Sequence, residues 1–425
     1  MTESAAAFHP SRRGRVRFIS GLGVGQIVSW GSLYYAFPLI AEQMGRELGQ
    51  SKPALYGAAT CGILVAGLAS YPVGAAIDRG HGRAVMTLGS ALGGVLLMAW
   101  SRLDALWAFY LLFGGIGLAQ AMTMYEPVFA VVTRRFGLEA RRGITAITLW
   151  GGFASTVFIP LTQLLIDRLG WRNALVVLGG CNLGLCIGLH AWLIDRRLDA
   201  PLPAKAKPEP SAPPYASPAA AQAALQGAAA VRWVIRRPAF WGLLVAFTVY
   251  YGMYVGLTFH LYPLLLERGF AVAKVIAALS LIGPAQVAGR ITMWVFGRER
   301  SIRTLGIVAI SAFPVGLAML VLLPANFAAL AGFAIICGAA NGVITIVRGL
   351  VVPEMLTRDA YGAINGVLAL PANVAKALAP VATAALWELF RSYDGVLMAA
   401  LASCALVVAA FSYAAVQRER TAAAP

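Results

Sequence analysis

Charge is what this sequence has least of. Asp, Glu, Lys and Arg make up 12% of its 425 residues, where a soluble domain carries about 25%. Hydrophobic residues make up 59%. A soluble chain of this size has to present an exterior to water and cannot hide that much apolar surface. Too little charge and too much apolar residue also exclude a disordered chain. Acidic residues are scarcer still: 18 against 34 Lys and Arg, a net charge of +16. In a soluble protein that excess suggests nucleic acid. In a chain this apolar it suggests basic loops on one side of a membrane, and no nucleic-acid partner is expected. Cysteine is sparse, and Cys61, Cys181, Cys186, Cys337 and Cys404 all fall in apolar runs. Their spacing gives neither a metal site nor a disulfide framework. The four histidines (His9, His81, His190 and His260) are scattered and form no catalytic constellation, so neither an enzyme nor a cofactor is expected. Gly21-Leu-Gly-Val-Gly25 follows no strand and opens an apolar segment, and no Walker lysine pattern occurs. No apolar stretch precedes the first long segment, so no cleaved signal is expected.

What is present is length in apolar runs. A helix needs about 20 apolar residues to cross the hydrocarbon core. Twelve segments qualify: 17–42, 54–77, 83–101, 105–132, 143–167, 172–194, 239–266, 275–296, 303–323, 327–352, 362–388 and 394–416. The expected fold is therefore an all-α membrane protein of twelve spans. With the N-terminus in the cytoplasm, 23 Lys and Arg fall on the cytoplasmic side and eight on the other. That asymmetry places both termini inside, in a multi-pass protein of the inner (plasma) membrane. Residues 1–16 read as a cytoplasmic arm, 17–195 as one six-helix half and 239–417 as the other. The Ala/Pro-rich stretch 196–238 reads as a cytoplasmic linker, and 418–425 as a tail.

The halves repeat each other. Tyr35-Ala-Phe-Pro-Leu-Ile-Ala-Glu42 echoes His260-Leu-Tyr-Pro-Leu-Leu-Leu-Glu267, Arg83-Ala-Val-Met-Thr-Leu-Gly89 echoes Arg300-Ser-Ile-Arg-Thr-Leu-Gly306, and Gly143-Ile-Thr-Ala-Ile echoes Gly362-Ala-Ile-Asn-Gly. The offsets are 225, 217 and 219 residues. Related halves of this kind build a site at their interface, near the membrane midplane.

Between spans 2 and 3 stands Gly74-Ala-Ala-Ile-Asp78-Arg79-Gly80-His81-Gly82-Arg83. Gly74 permits close helix packing, and Gly80 and Gly82 permit a tight turn. Asp78 sits near a helix end, where it can pair with Arg79, Arg83 or a neighbouring helix terminus. The loop resembles the signature of the major facilitator superfamily, which implies that Gly74, Asp78, Arg79, Gly82 and Arg83 latch the halves during the conformational change and do not touch substrate. Further motifs resemble the monocarboxylate transporters and the oxalate/formate antiporters: Tyr35-Ala-Phe-Pro38, Gly170-Trp171-Arg172, Arg237-Pro-Ala-Phe-Trp241 and Arg290 in span 8. Two positions depart from the first group. Leu39 stands where those transporters have a lysine, and Gln286 where they have an aspartate. Arg290 with Lys376 in span 11 fits the second group better. Drug-antiporter signatures are weak, with Leu111 in place of arginine before Gly115-Ile-Gly117, and Ile159-Pro160 in span 5.

A charge at the bilayer centre costs about 2.5–3.5 kcal/mol even on the lenient insertion scale, so each one needs a cavity or a partner. Arg290 is expected as a carboxylate clamp, with snorkelling to the inner surface as its alternative. Lys376 lies about 21 Å from the inner end of its span and is too deep to snorkel easily inward. Glu126 in span 4 and Arg348 in span 10 hold equivalent places. They are expected to pair and close the cytoplasmic gate when the site faces out, or Glu126 to carry a proton, or each to stand alone near the inner headgroups. Gln26, Trp30, Tyr34, Tyr250, Tyr251, Tyr254 and Gln286 are the remaining candidates for contact with a small organic anion. Tyr35 and His260, equivalent and near the outer ends, are expected at a gate. Asn341, Asn365 and Asn373 are expected to bond helix to helix.

The expectation is a secondary transporter for a mono- or dicarboxylate, working as a monomer in the lipid bilayer. A coupling proton or counter-anion would complete its cycle. The alternatives are a drug or metabolite exporter with a larger, more apolar site, or a transporter-like sensor. The featureless linker and tails offer little to a signalling partner.

Overall fold

The computed structural model describes residues 12–136, 140–195, 231–296, 300–323, 326–357 and 361–417. Most of the expected linker, the tail 418–425 and residues 1–11 of the arm lie outside these. The arm's last residues are helical, because the first helix begins at Arg12.

Among the described residues, ten helical stretches are long and apolar enough to cross a membrane. One of them, Arg142–Leu193, has 52 residues. Straight, it would reach roughly 78 Å, more than twice a hydrocarbon core. It turns at Gly170, whose φ of 78° and ψ of 160° suit only a residue without Cβ, and so makes two passes. Residues 12–48 form a further pass, in which a charged first turn and a π-helical turn at Gly31–Tyr35 interrupt the apolar run. The twelve expected spans are thus present, with ends within a few residues of the hydropathy boundaries. Span 4 is broken: Leu106–Thr123 and Tyr125–Phe136 meet at Met124, which is extended. Side chains cap four helix starts, at Ser51, Ser301, Asn326 and Ser392.

Small residues let the helices within each half approach closely. A Cβ on Gly117 of span 4 would lie 2.0 Å from the Gly62 carbonyl of span 2, and one on Gly342 of span 10 would lie 2.1 Å from the Gln286 carbonyl of span 8. These are equivalent places, so the repeat read from sequence is also a repeat of packing.

The halves meet chiefly through spans 2 and 11 and through spans 5 and 8. At the end of the bundle remote from residues 12 and 417, the Tyr56 hydroxyl donates to the Phe259 carbonyl at 3.2 Å, and that of Tyr262 to Gln163 Oε1 at 3.0 Å. Nearer the middle, Thr156 Oγ1 donates to the Ser280 carbonyl at 2.9 Å. Towards the termini the second piece of span 4 packs on spans 2, 3 and 5 of its own half. Glu126 and Asn373 are exposed there. The halves therefore close over one end and leave a central cavity open towards the end that bears the termini.

Candidate functional site

The cavity begins with the π-helical turn Gly31–Tyr35 in span 1. Its extra residue places Tyr34 and Tyr35 side by side, ring centroids 5.3 Å apart, with Trp30 5.3 Å from Tyr34. Trp30 also lies 5.0 Å from Tyr125, and Tyr34 lies 4.9 Å from Phe259 of the other half. At the closed end Tyr34, Tyr35 and Phe259 line a recess of about 70 Å³ with Leu39, Ile159, Tyr254, Ile282 and Phe313. Tyr254 is held by a relay, in which the Tyr250 hydroxyl donates to Asn341 Oδ1 at 2.7 Å and Asn341 Nδ2 donates to the Tyr254 hydroxyl at 2.9 Å.

Arg290 stands below the recess. One of its Nη1 hydrogens reaches the Thr148 carbonyl across the halves at 3.3 Å, while its buried Nε has no partner among the described residues. Its charge is felt at Tyr35, Tyr125 and Tyr254. A guanidinium with most of its five donors unspent has the chemistry to take an anion in a two-pronged grip. Lys376 lies 4.0 Å above the Tyr251 ring and 3.5 Å from Asn373 Oδ1, and it senses both Glu126 and Arg348. Arg348 donates to Asn365 Oδ1 and lies 5.1 Å from the Phe247 ring. Glu126 has no hydrogen bond or ion pair with any described residue, as befits a carboxylate at the open end. Its expected pairing with Arg348 is not formed in this conformation.

Several candidates fall in packing instead. Gln26 is fully buried and donates to the Thr123 carbonyl at 2.7 Å, tying span 1 to span 4. Tyr250 is 1% exposed and acts only through Asn341. Gln286 is buried where spans 8 and 10 cross. Of the loop between spans 2 and 3, Gly80 turns with φ 91° as expected. Gly74 was expected to serve close packing, yet a Cβ there would meet nothing within 4 Å, because the bundle is open at that end. Arg79 is exposed, Arg83 is half-buried and Gly82 is buried, while the side chain of Asp78 lies outside the described residues.

His260 is at the closed end. Its ring stacks on Tyr56 of the other half at 3.9 Å. Nε2 lies 2.9 Å from the Pro380 carbonyl and Nδ1 lies 2.8 Å from the Tyr393 hydroxyl. A carbonyl only accepts, so Nε2 carries the proton and Nδ1 accepts from Tyr393. The Tyr393 oxygen in turn accepts from Lys52 Nζ at 3.4 Å. Lys52, Tyr56, Trp387 and Tyr393 were not among the sequence candidates. Lys52 reads there as a loop cation, and only its fold-back onto the second half gives it a role.

Comparison with known proteins places this architecture. The family model described as Major Facilitator Superfamily matches residues 22–380. Monocarboxylate transporter 11 of Homo sapiens is 32% identical over 174 residues, 39% of this chain and 34% of that protein. Monocarboxylate transporter 12 of Xenopus laevis is 36% identical over 109 residues, 24% of this chain and 23% of that protein. The matched stretch thus spans about a third or less of these relatives. A bacterial homolog of the human lysosomal transporter Spinster, solved inward-facing and unoccupied, superposes with a TM-score of 0.70 at 14% identity, covering 96% of this chain and 97% of its own. The nucleoside transporter NupG gives 0.68 at 14%, covering 94% and 98%. At that identity the two structures share the fold and nothing finer.

Proposed function

This chain belongs to the major facilitator superfamily, a family of transporters and not of enzymes, and within it we propose that it carries a small organic anion, a mono- or dicarboxylate, by alternating access. The observation that carries the reading is the charge of the cavity. Arg290, Arg348 and Lys376 meet one carboxylate, Glu126, among the described residues. A net positive cavity in a low dielectric draws an anion and repels a cation. The anion neutralises the site, and the halves can then close around it without burying bare charge. The similarity to proteins named monocarboxylate transporters supports the same class. With the termini in the cytoplasm, the conformation seen here faces inward. Glu126 is the group to carry a coupling proton, and a counter-anion is the other way to return the empty carrier.

The apolar recess favours a second reading, export of apolar compounds. One experiment separates the two. The protein in detergent is melted against organic acids, amines, sugars and drugs. A ligand bound only by the folded state adds RT ln(1 + [L]/Kd), about 2.7 kcal/mol at a hundredfold excess over Kd. Carboxylates are expected to raise Tm, and Arg290→Gln or Lys376→Gln to abolish the rise. Stabilisation by amines or bulky apolar compounds alone would replace the anion reading with export.

A further inference from the structure

The cavity has two unlike ends, and their difference bears on what kind of anion fits. The end towards the opening carries charge, in Arg290, Arg348, Lys376 and Glu126. Beyond it the recess is lined by no charged side chain: Tyr34, Tyr35, Tyr254, Phe313, Leu39 and Ile159 enclose it. The Tyr254 hydroxyl oxygen accepts from Asn341 Nδ2, and Thr258 Oγ1 at the same recess donates to the Tyr254 carbonyl at 2.8 Å. The hydroxyls of Tyr34 and Tyr35 have no hydrogen-bond partner among the described residues, and Arg290 retains unspent donors. The recess of about 70 Å³ is several times the roughly 10–15 Å³ that one water needs by the same measure. It has room for a compact group.

We propose that the apolar recess beyond Arg290 is a specificity pocket for the body of the cargo, which is a carboxylate bearing one compact apolar group, a single ring or a branched alkyl chain, and not a small dianion. The proposal rests on the anion reading above and narrows it. The guanidinium takes the carboxylate, and the free phenols of Tyr34 and Tyr35 donate to its oxygens. The apolar body enters the recess, where aromatic faces meet it and it sheds its water. A dianion of the oxalate or malonate kind has no use for this end. Its second carboxylate would be desolvated against Leu39 and Ile159 with no cation to receive it, which is strongly unfavourable.

The test needs no variant. Dissociation constants of phenylacetate, malonate and phenylacetamide are measured by titration calorimetry on the full-length protein in detergent. Phenylacetate is expected to bind at least about tenfold tighter than malonate, the least that burying a ring supports, and phenylacetamide, which lacks the charge, not to bind. Phe313→Ala, which removes one wall, is expected to narrow the margin over malonate. Malonate binding as tightly as phenylacetate, or tighter, overturns the specificity pocket and leaves the anion reading standing. Phenylacetamide binding as well as phenylacetate overturns the anion reading and the pocket's pairing with Arg290 together. No binding by any of the three overturns the proposal as stated.

Discussion

The ammonium of Lys52 in span 2 lies 4.3 Å from the ring centroid of Trp387 in span 11, so a cation of one half is seated on an aromatic face of the other. The same ammonium lies 4.7 Å from the Tyr393 ring and donates to its hydroxyl. Trp387 is aimed by its indole N–H, which donates to Glu267 Oε2 at 2.7 Å, and Glu267 Oε1 also accepts from the Tyr393 backbone N–H at 2.7 Å. A cation–π contact of this kind contributes ~1–2 kcal/mol once partly desolvated.

Removing that contact acts on the closed end alone. In Lys52→Gln the ratio of outward-open to inward-open molecules is expected to rise about fivefold or more, as ~1 kcal/mol requires. Lys52→Arg, which keeps the cation, is expected to hold the original ratio. Spin labels on Arg102→Cys and Leu323→Cys, both exposed at that end, report the distance after the half-buried Cys61 and Cys181 have been replaced. An unchanged distance distribution in Lys52→Gln would show that the cage does not hold the gate.

The spans were legible because their signal is local: twenty apolar residues in a row mean the same thing whatever surrounds them. The site was legible only in part. Tyr34, Tyr35 and Tyr254 line the apolar recess, and charge in a bilayer was the cue for Arg290 and Lys376. Gln26 and Tyr250 were equally plausible in sequence, yet both are buried between helices. Which way a side chain faces around a helix axis depends on its neighbours, and the π-helical turn at Gly31–Tyr35 shifts that direction in a way no apolar periodicity records. The cage around Lys52 joins residues more than 300 positions apart and left no local trace at all.

Spans 5 and 8 cross too closely for any side chain at Gly283. A Cβ there would lie 2.4 Å from the Gly152 carbonyl and 2.5 Å from Thr156 Oγ1. Gly283→Ala has to push the halves apart and lengthen the Thr156 to Ser280 bond. A loss of about 1–3 kcal/mol is expected, the usual cost of overpacking, with transport slowed at least as much as Tm is lowered. Gly180→Ala and Gly188→Ala, where a Cβ meets nothing within 4 Å, are expected to leave both readings unchanged. Equal behaviour of all three variants in reconstituted vesicles would remove the crossing as a constraint.

A clasp at the closed end of the first half makes stability depend on pH in a definable window. Glu47 Oε2 accepts from the Trp171 indole N–H at 2.5 Å, and Oε1 accepts from Arg172 at 3.0 Å. The Trp171 bond first, and then Arg172, hold the carboxyl below its ordinary value of about 4.5. A lowered folded value means the stabilisation is present above the unfolded value and is lost as pH falls through the folded one. The carboxylate is solvated, so the effect is small. Glu47→Gln is expected to lower Tm slightly at pH 7, and the difference from the unaltered protein to vanish as the pH is taken well below 4. A difference that persists undiminished in acid would assign it to packing and not to charge.

Among the described residues Glu126 is the one carboxylate set against the cavity's cations, and that makes its removal informative in two directions. Charges 8–12 Å apart couple by roughly 1.4–2 kcal/mol at an effective dielectric constant of about 20. Deleting the negative charge in Glu126→Gln therefore raises the positive potential felt by a bound anion, and its Kd is expected to fall by up to about thirtyfold. Turnover is expected to fall as well, because a more tightly held anion leaves more slowly and because the empty site now has more uncompensated charge to carry back. If Lys376 is the cation through which Glu126 acts, the double variant Glu126→Gln/Lys376→Gln differs from the sum of the singles by an interaction term of 0.5 kcal/mol or more. Strict additivity would place Glu126 outside the binding field. Its use to the protein would then lie in the closing of the open end, where Arg348 stands in the equivalent helix of the other half.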